Sequence, residues 1–390
     1  MDLLPTLWFI AIAVLWGGFL LLDGFDLGVG MLMLTSTRDE RERRQMLNTI
    51  GPVWDGNEVW LITAAAGLFA AFPLWYAALF SALYVPLVFV LVGLIFRAVS
   101  IEYRGKGHSD RWRRWADRGL GTGSFLAAFG LGAALALTTT GLPLNANGDR
   151  VGGAFAWFTP YALLGGLAVV GFCLVHAAAF LGLKTEGPVR LRARGLLVRW
   201  GPVGLLPFAG WVVAVQLRSG TAWTWLLVGG AVVAGLAGWA GARLGHEGRA
   251  FAGSAAVLAL GLGSIFTNVF PVVLPSTLDP AWDLTVGNAS NSDYTLGVLT
   301  VVAALGLPLV LLYQGWSYWV FRRRLTTDHL PAAHTVRAAV APLAAAVPGG
   351  AQGAADPGGS GPSGGSATRG SAGDDSFRGG PSSGGDDRPA

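Results

Sequence analysis

The chain has 390 residues, 53% of them hydrophobic and only 13% charged. Soluble domains carry about 25% charged residues, so the composition excludes an ordinary soluble protein and indicates an integral membrane protein. The formal net charge of +4 sits mostly in short loops between apolar runs, which argues against nucleic-acid binding, and one cysteine, Cys173, cannot build a disulfide framework or a thiolate metal site.

The N-terminal MDLLPTLWF has no basic n-region and reads as a retained first span rather than a cleaved signal peptide. Apolar runs of about 20 residues are long enough to cross a bilayer as helices. About nine transmembrane helices are expected, at 4–34, 53–74, 76–97, 119–140, 158–183, 201–218, 223–243, 250–272 and 295–321, which makes the fold an all-α bundle. The first run is too long for an upright crossing, so it tilts or extends beyond the lipid. Twenty-one Lys and Arg lie at one set of span ends, in 35–48, 97–118, 184–199, 243–249 and after the ninth span; the other side has only Arg150 and Arg218. The positive-inside rule then places the N-terminus outside and the C-terminus in the cytoplasm. Residues 1–330 form the polytopic part, while 331–390, rich in Gly, Ser and Pro, are expected to be a disordered cytoplasmic tail.

Two acidic pairs interrupt apolar segments: Asp23 and Asp26 in FLLLDGFDLGVG, and Asp55 and Glu58 in GPVWDGNEVWLI. A carboxylate in a bilayer is costly and by default marks an ion or proton route. A spacing of three puts both members of a pair on one helix face. Counted from Thr35, Asp26 lies about 13 Å inside the first span; counted from Asn48, Asp55 lies about 10 Å inside the second. Burial and a neighbouring like charge both favour the protonated acid. Such a cluster can hold a proton near neutral pH and exchange it with the cytoplasm. Asp26 and Asp55 are the principal members of this proton path, with Asp23, Glu58 and Asn57 beside them. The competing reading makes the same acids hydrogen-bond acceptors at a helix end, or partners of loop arginines. GPVWDGNE does resemble a helix start, with a proline early and acids in the first turns.

His176 is the one histidine well inside a span. Bis-ligation of a b-type haem needs two suitably placed residues, and one histidine with Met31 and Met33 nearby is a poor site. A hydrogen-bonded structural role is expected instead. Arg97, Glu102 and Arg104 leave the third span as an interfacial ion-pair anchor. The polar connection 275–296 is an outer loop that can also cover a partner's site, and YQGWSYWVFRRRL (313–325) reads as an aromatic belt with a basic stop. No Walker loop or HExxH is found. The 58 glycines reflect close helix packing and the tail.

LLDGFDLGVG, GPVWDGNEVWLI, FRAVSIEYRGK, HAAAFLGLKT and NASNSDYTL, in this order, resemble subunit II of cytochrome bd-type ubiquinol/menaquinol oxidases. The resemblance covers residues 5–325. It implies a bacterial plasma-membrane terminal oxidase that oxidises quinol and reduces dioxygen to water. The b and d haems would be held by the larger subunit I, the partner in a heterodimer, and not by this chain. Small accessory subunits, lipid and a structurally held quinone would fit the same complex. The family's cytoplasmic proton route uses aspartates at the positions matching Asp26 and Asp55. HAAAF departs from the family's more usual His-Gly-Ala run, so no cofactor role is assigned to His176. A proton-coupled secondary transporter is the alternative from another class, but no inverted repeat or matched pair of broken helices supports it.

Overall fold

The computed structural model describes residues 3–107 and 109–326; the expected tail, 331–390, lies outside the described residues. In chain order the helices are α1 (Leu3–Ser36), α2 (Glu40–Ile50), α3 (Trp54–Ala71), α4 (Pro73–Ala82), α5 (Tyr84–Tyr103), α6 (Asp110–Thr140), α7 (Pro160–Lys184), α8 (Pro188–Ser219), α9 (Thr224–Leu244), α10 (Glu247–Val269), α11 (Val286–Ala289) and α12 (Asp293–Val320). A two-stranded antiparallel ribbon, β1 (Val272–Leu274) with β2 (Leu284–Thr285), caps one end. Eight helices, α1, α5, α6, α7, α8, α9, α10 and α12, are long and apolar enough to cross a membrane. The eighteen residues of α3 include Asp55, Asn57 and Glu58, which lower its hydropathy below that of the others.

Two expected boundaries move. The second helix does not run on from Asn48: α2 ends at Ile50, and α3 starts afresh at Trp54 after a turn that contains Pro52. The third span is α5, displaced toward the C-terminus because α4 intervenes. Pro73 opens α4 at its N1 position, and Phe72 before it is non-helical, with φ −133° and ψ 69°. Proline disfavours the helical region in the residue it follows, so a break at this point is dictated locally. Span boundaries elsewhere extend into the basic segments: α6 and α8 begin at Asp110 and Pro188, so their arginines lie on helix ends rather than in loops.

Helix α7 packs against α1, α6, α8 and α10. Small residues set these approaches. A Cβ on Gly28 of α1 would fall 2.0 Å from the Cys173 carbonyl oxygen of α7, and one on Gly132 of α6 would fall 2.4 Å from that of Gly165. Only glycine permits backbones this close, the usual device where lipid tails compete with apolar side chains.

The basic end of the bundle is held by ion pairs around α2. Asp39 caps it by accepting from Glu42 N. The Arg104 guanidinium forks onto both Glu40 oxygens at 2.8 Å and reaches Asp117 at 2.6 Å. Arg192 forks onto Glu42 at 2.7 and 2.9 Å. Gln45 Nε2 donates to the Leu325 carbonyl at 2.7 Å, and Leu325 N donates to Lys184 O at 2.8 Å. The chain after α12 is thereby tied to the α7–α8 connection. At the opposite end the 275–296 connection folds on its own chain: Asn291 N donates to Ala71 O at 2.8 Å and Leu142 N to Pro275 O at 3.1 Å.

The Arg192 hydrogen bonds hold the Glu42 carboxyl below its ordinary value of 4.5, against a smaller opposing effect of burial. A depressed native value means stability that is complete above 4.5 and lost as pH falls through the native value. Thermal unfolding of wild type and Glu42→Gln should therefore differ at neutral pH by about 1.5–3 kcal/mol, as for hydrogen bonds to charged groups. The difference should vanish at pH below both values, and a gap that persists in acid would contradict this.

Candidate functional site

The face of α3 that packs inward is centred on Trp54, Asn57, Ala64, Leu68 and Ala71, all buried. At about 100° per residue, Glu58 lies to one side of that face and Asp55 about 160° from its centre, nearly opposite. The four acids are accordingly not equivalent. Asp23, Asp26 and Asn57 are completely buried, Glu58 is partly buried, and Asp55 is exposed on the outer surface of α3 in its first turn. The Asp23–Asp26 spacing does place both on one buried face of α1, whereas the equal spacing of Asp55 and Glu58 straddles the edge of α3.

Arg97 of α5, expected at the interface, is fully buried within this cluster. Its Nη2 donates to Asp23 Oδ1 at 2.5 Å and its Nη1 to Glu58 Oε2 at 2.6 Å, with the Trp54 ring centroid 5.8 Å from the guanidinium carbon. The reason is the displaced third span: with α5 ending at Tyr103, Arg97 stands six residues inside it, about 9 Å along the axis. Of the three residues read as an anchor, only Arg104 pairs at the helix end, and Glu102 is exposed.

Among the described residues, no cation forms an ion pair with Asp26. Its Oδ2 accepts from Asn57 Nδ2 at 2.7 Å, while its Oδ1, like Asp23 Oδ2, is buried with no hydrogen-bond partner. Asn57 in turn accepts at Oδ1 from Tyr318 Oη at 2.7 Å and from Gln314 Nε2 at 3.1 Å, and Trp60 Nε1 donates to Gln314 Oε1 at 2.9 Å. Gln314 and Tyr318 belong to the segment read only as an aromatic anchor. The signal that marks them is a glutamine one helical turn from a tyrosine in an otherwise apolar helix.

His176 is held on both sides. Its Nδ1 lies 2.8 Å from Ser254 Oγ and its Nε2 3.0 Å from the Leu21 carbonyl, which can only accept, so Nε2 carries the hydrogen. The rings of Phe172 and Phe251 stack on it at 5.1 and 4.6 Å. This is the hydrogen-bonded histidine expected from sequence. It offers no free nitrogen to a haem iron, and Met31 and Met33 are packed into the apolar core. The residues around His176 therefore do not fit a haem. Among the described residues, no group of three or more His, Cys, Asp or Glu is placed to hold a metal ion.

Residues 4–321 match the family model for cytochrome bd terminal oxidase subunit II. The chain belongs to that family. It is 40% identical over 332 residues to cytochrome bd ubiquinol oxidase subunit 2 of Bacillus subtilis (strain 168), covering 84% of this chain and 98% of the relative. It is 35% identical over 367 residues to cytochrome bd-I ubiquinol oxidase subunit 2 of Escherichia coli (strain K12), covering 84% and 97%. A solved chain from the bd oxidase of Geobacillus thermodenitrificans superposes with a TM-score of 0.68 at 18% identity, over 82% of this chain and 99% of that one; that likeness concerns the fold. As a subunit II with multiple apolar helices, the chain is a multi-pass protein of the bacterial plasma membrane.

Proposed function

We propose that this chain is the subunit II of a terminal oxidase that oxidises quinol and reduces dioxygen to water, and that its Asp26 cluster takes up protons from the cytoplasm. The partner is a subunit I that holds the b and d haems, which supply the oxygen-reducing centre; small accessory subunits and a structural quinone or lipid belong to the same picture. The observation that carries the proton role is a charge imbalance in the membrane interior. Three carboxyls, Asp23, Asp26 and Glu58, lie around one guanidinium, Arg97, which pairs with Asp23 and Glu58 and not with Asp26. If all were ionised, the cluster would hold two uncompensated negative charges away from water, which is costly. Electroneutrality is met when protons occupy the carboxyls that Arg97 does not balance. Asp26, with a bare Oδ1 and a neutral partner, is the group in which a proton can be held and released without breaking an ion pair.

The basic ends of the helices face the cytoplasm in this reading, by the positive-inside rule. Asp26 lies ten residues from the end of α1 on that side, about 15 Å along the helix. Asp55, on the exposed face of α3 at the same end, is the entry group at the surface that meets the partner. Protons consumed from inside and released by quinol outside generate charge across the membrane without further pumping.

Purification of the tagged chain in mild detergent tests the assignment. Haem absorption bands from a co-purifying partner, with quinol-driven oxygen consumption, are expected. A colourless chain without oxidase activity would contradict it.

A further inference from the structure

The carboxamide of Asn57 is engaged at both ends. Its Nδ2 donates to Asp26 Oδ2 at 2.7 Å and to Leu22 O at 3.2 Å, and its Oδ1 receives the Tyr318 hydroxyl and the Gln314 amide. Two groups set the direction of this chain: the Leu22 carbonyl, which can only accept and so draws Nδ2 to the α1 side, and the indole of Trp60 at the other end. An indole N–H can only donate, so Trp60 Nε1 fixes which atom of Gln314 is the oxygen. That leaves the Gln314 amide nitrogen toward Asn57, which fixes Oδ1 there and Nδ2 toward Asp26. Gln314 and Tyr318 come from α12, a helix whose one buried residue is Leu296, so its polar contacts to Asn57 are prominent among the features that seat it.

We propose that Trp60, Gln314 and Tyr318 are positioning residues for Asp26: with the Leu22 carbonyl on the other side, they lock Asn57 so that its N–H, and not its carbonyl, faces the carboxyl group. This rests on Asp26 being the proton-exchanging group. The locked amide stabilises Oδ2 as an acceptor and leaves Oδ1 as the oxygen that gains and loses the proton. A reversed amide would instead accept from a protonated Asp26 and hold that proton more tightly. The other titratable or charged groups around the site are Asp23 on α1, Glu58 on α3 and Arg97 on α5. From α7 come Cys173, against Gly24 and Gly28, and His176, against Leu21.

The test is the Tyr318→Phe/Gln314→Leu double variant in the intact oxidase complex. It is read by the pH profile of quinol-driven oxygen consumption and by infrared titration of the protonated-carboxyl band that Asp26→Asn removes. Both the alkaline limb of the profile and that band are expected to shift upward by about one pH unit, a tenfold change in proton affinity and the size of one hydrogen bond to a charged group. Haem content should be unchanged. Each single variant, which removes one donor and keeps the ring or the helix packing, should show part of the same shift, so the result stands even if the double variant fails to assemble. An unmoved band and profile in variants where Asp26→Asn does slow turnover would overturn the positioning role alone. If Asp26→Asn alters neither rate nor band, the proton-path reading itself fails, and the positioning role fails with it.

Discussion

Replacement of Arg97 by leucine is expected to remove most of the assembled complex from the membrane. The change removes the guanidinium that Asp23 and Glu58 contact at 2.5 and 2.6 Å and leaves the carboxylate charge it balances without a counter-ion. Removing one partner of a buried ion pair costs about 3–5 kcal/mol, because the other charge remains desolvated. Against a typical total stability of about 5–15 kcal/mol, that is enough to deplete the folded population. Arg97→Lys should be intermediate, since an ammonium is a point charge and cannot present two donors to two carboxylates in a fixed fork. The triple variant Arg97→Leu/Asp23→Asn/Glu58→Gln should recover assembly relative to Arg97→Leu alone, because it removes the stranded charges together with their partner. Haem absorption per milligram of membrane protein and thermal unfolding of the purified complex measure both effects. Normal assembly of Arg97→Leu would show that Arg97 does not compensate these acids.

The second large effect is kinetic. Asp26→Asn keeps the size of the side chain and an oxygen for the Asn57 hydrogen bond, but it cannot carry the proton. Positioned proton-transferring groups contribute about 10²–10⁴-fold to rate, so oxygen consumption should fall by about a hundredfold with haem content preserved. Asp55→Asn should slow turnover less, since the exposed position of Asp55 lets water or a partner's side chain take its place. Unchanged turnover in both variants would remove these residues from the path. Loss of haem from both would make them scaffold instead.

The polar interruptions in apolar runs were legible in the sequence because a bilayer admits few of them. Asp23, Asp26, Asn57 and Glu58 were all found this way, and so was the all-α fold, from run length alone. Pairing across helices was not legible. Arg97 and Asp23 are 74 positions apart, and no local pattern joins them. The error in Arg97's depth came from one short helix: without α4 (Pro73–Ala82), the third span is drawn too early and its arginine falls at the interface. The inequality of Asp55 and Glu58 has a similar origin. Their spacing says that they lie near one another on α3, but the face turned inward is set by Ala64, Leu68 and Ala71 packing below them. Gln314 and Tyr318 were masked by the aromatic and basic residues around them, which have a sufficient explanation in anchoring. Only the arrangement of α12 against Asn57 gives these two a different role.

The membrane sidedness of proton uptake bears most directly on the whole account. Complex reconstituted in vesicles with the basic helix ends facing a trapped pH indicator should take up protons from that side after an oxygen pulse, and Asp26→Asn should slow that uptake in step with oxygen reduction. Uptake from the opposite side, or an unaltered rate in Asp26→Asn with full haem content, would contradict it.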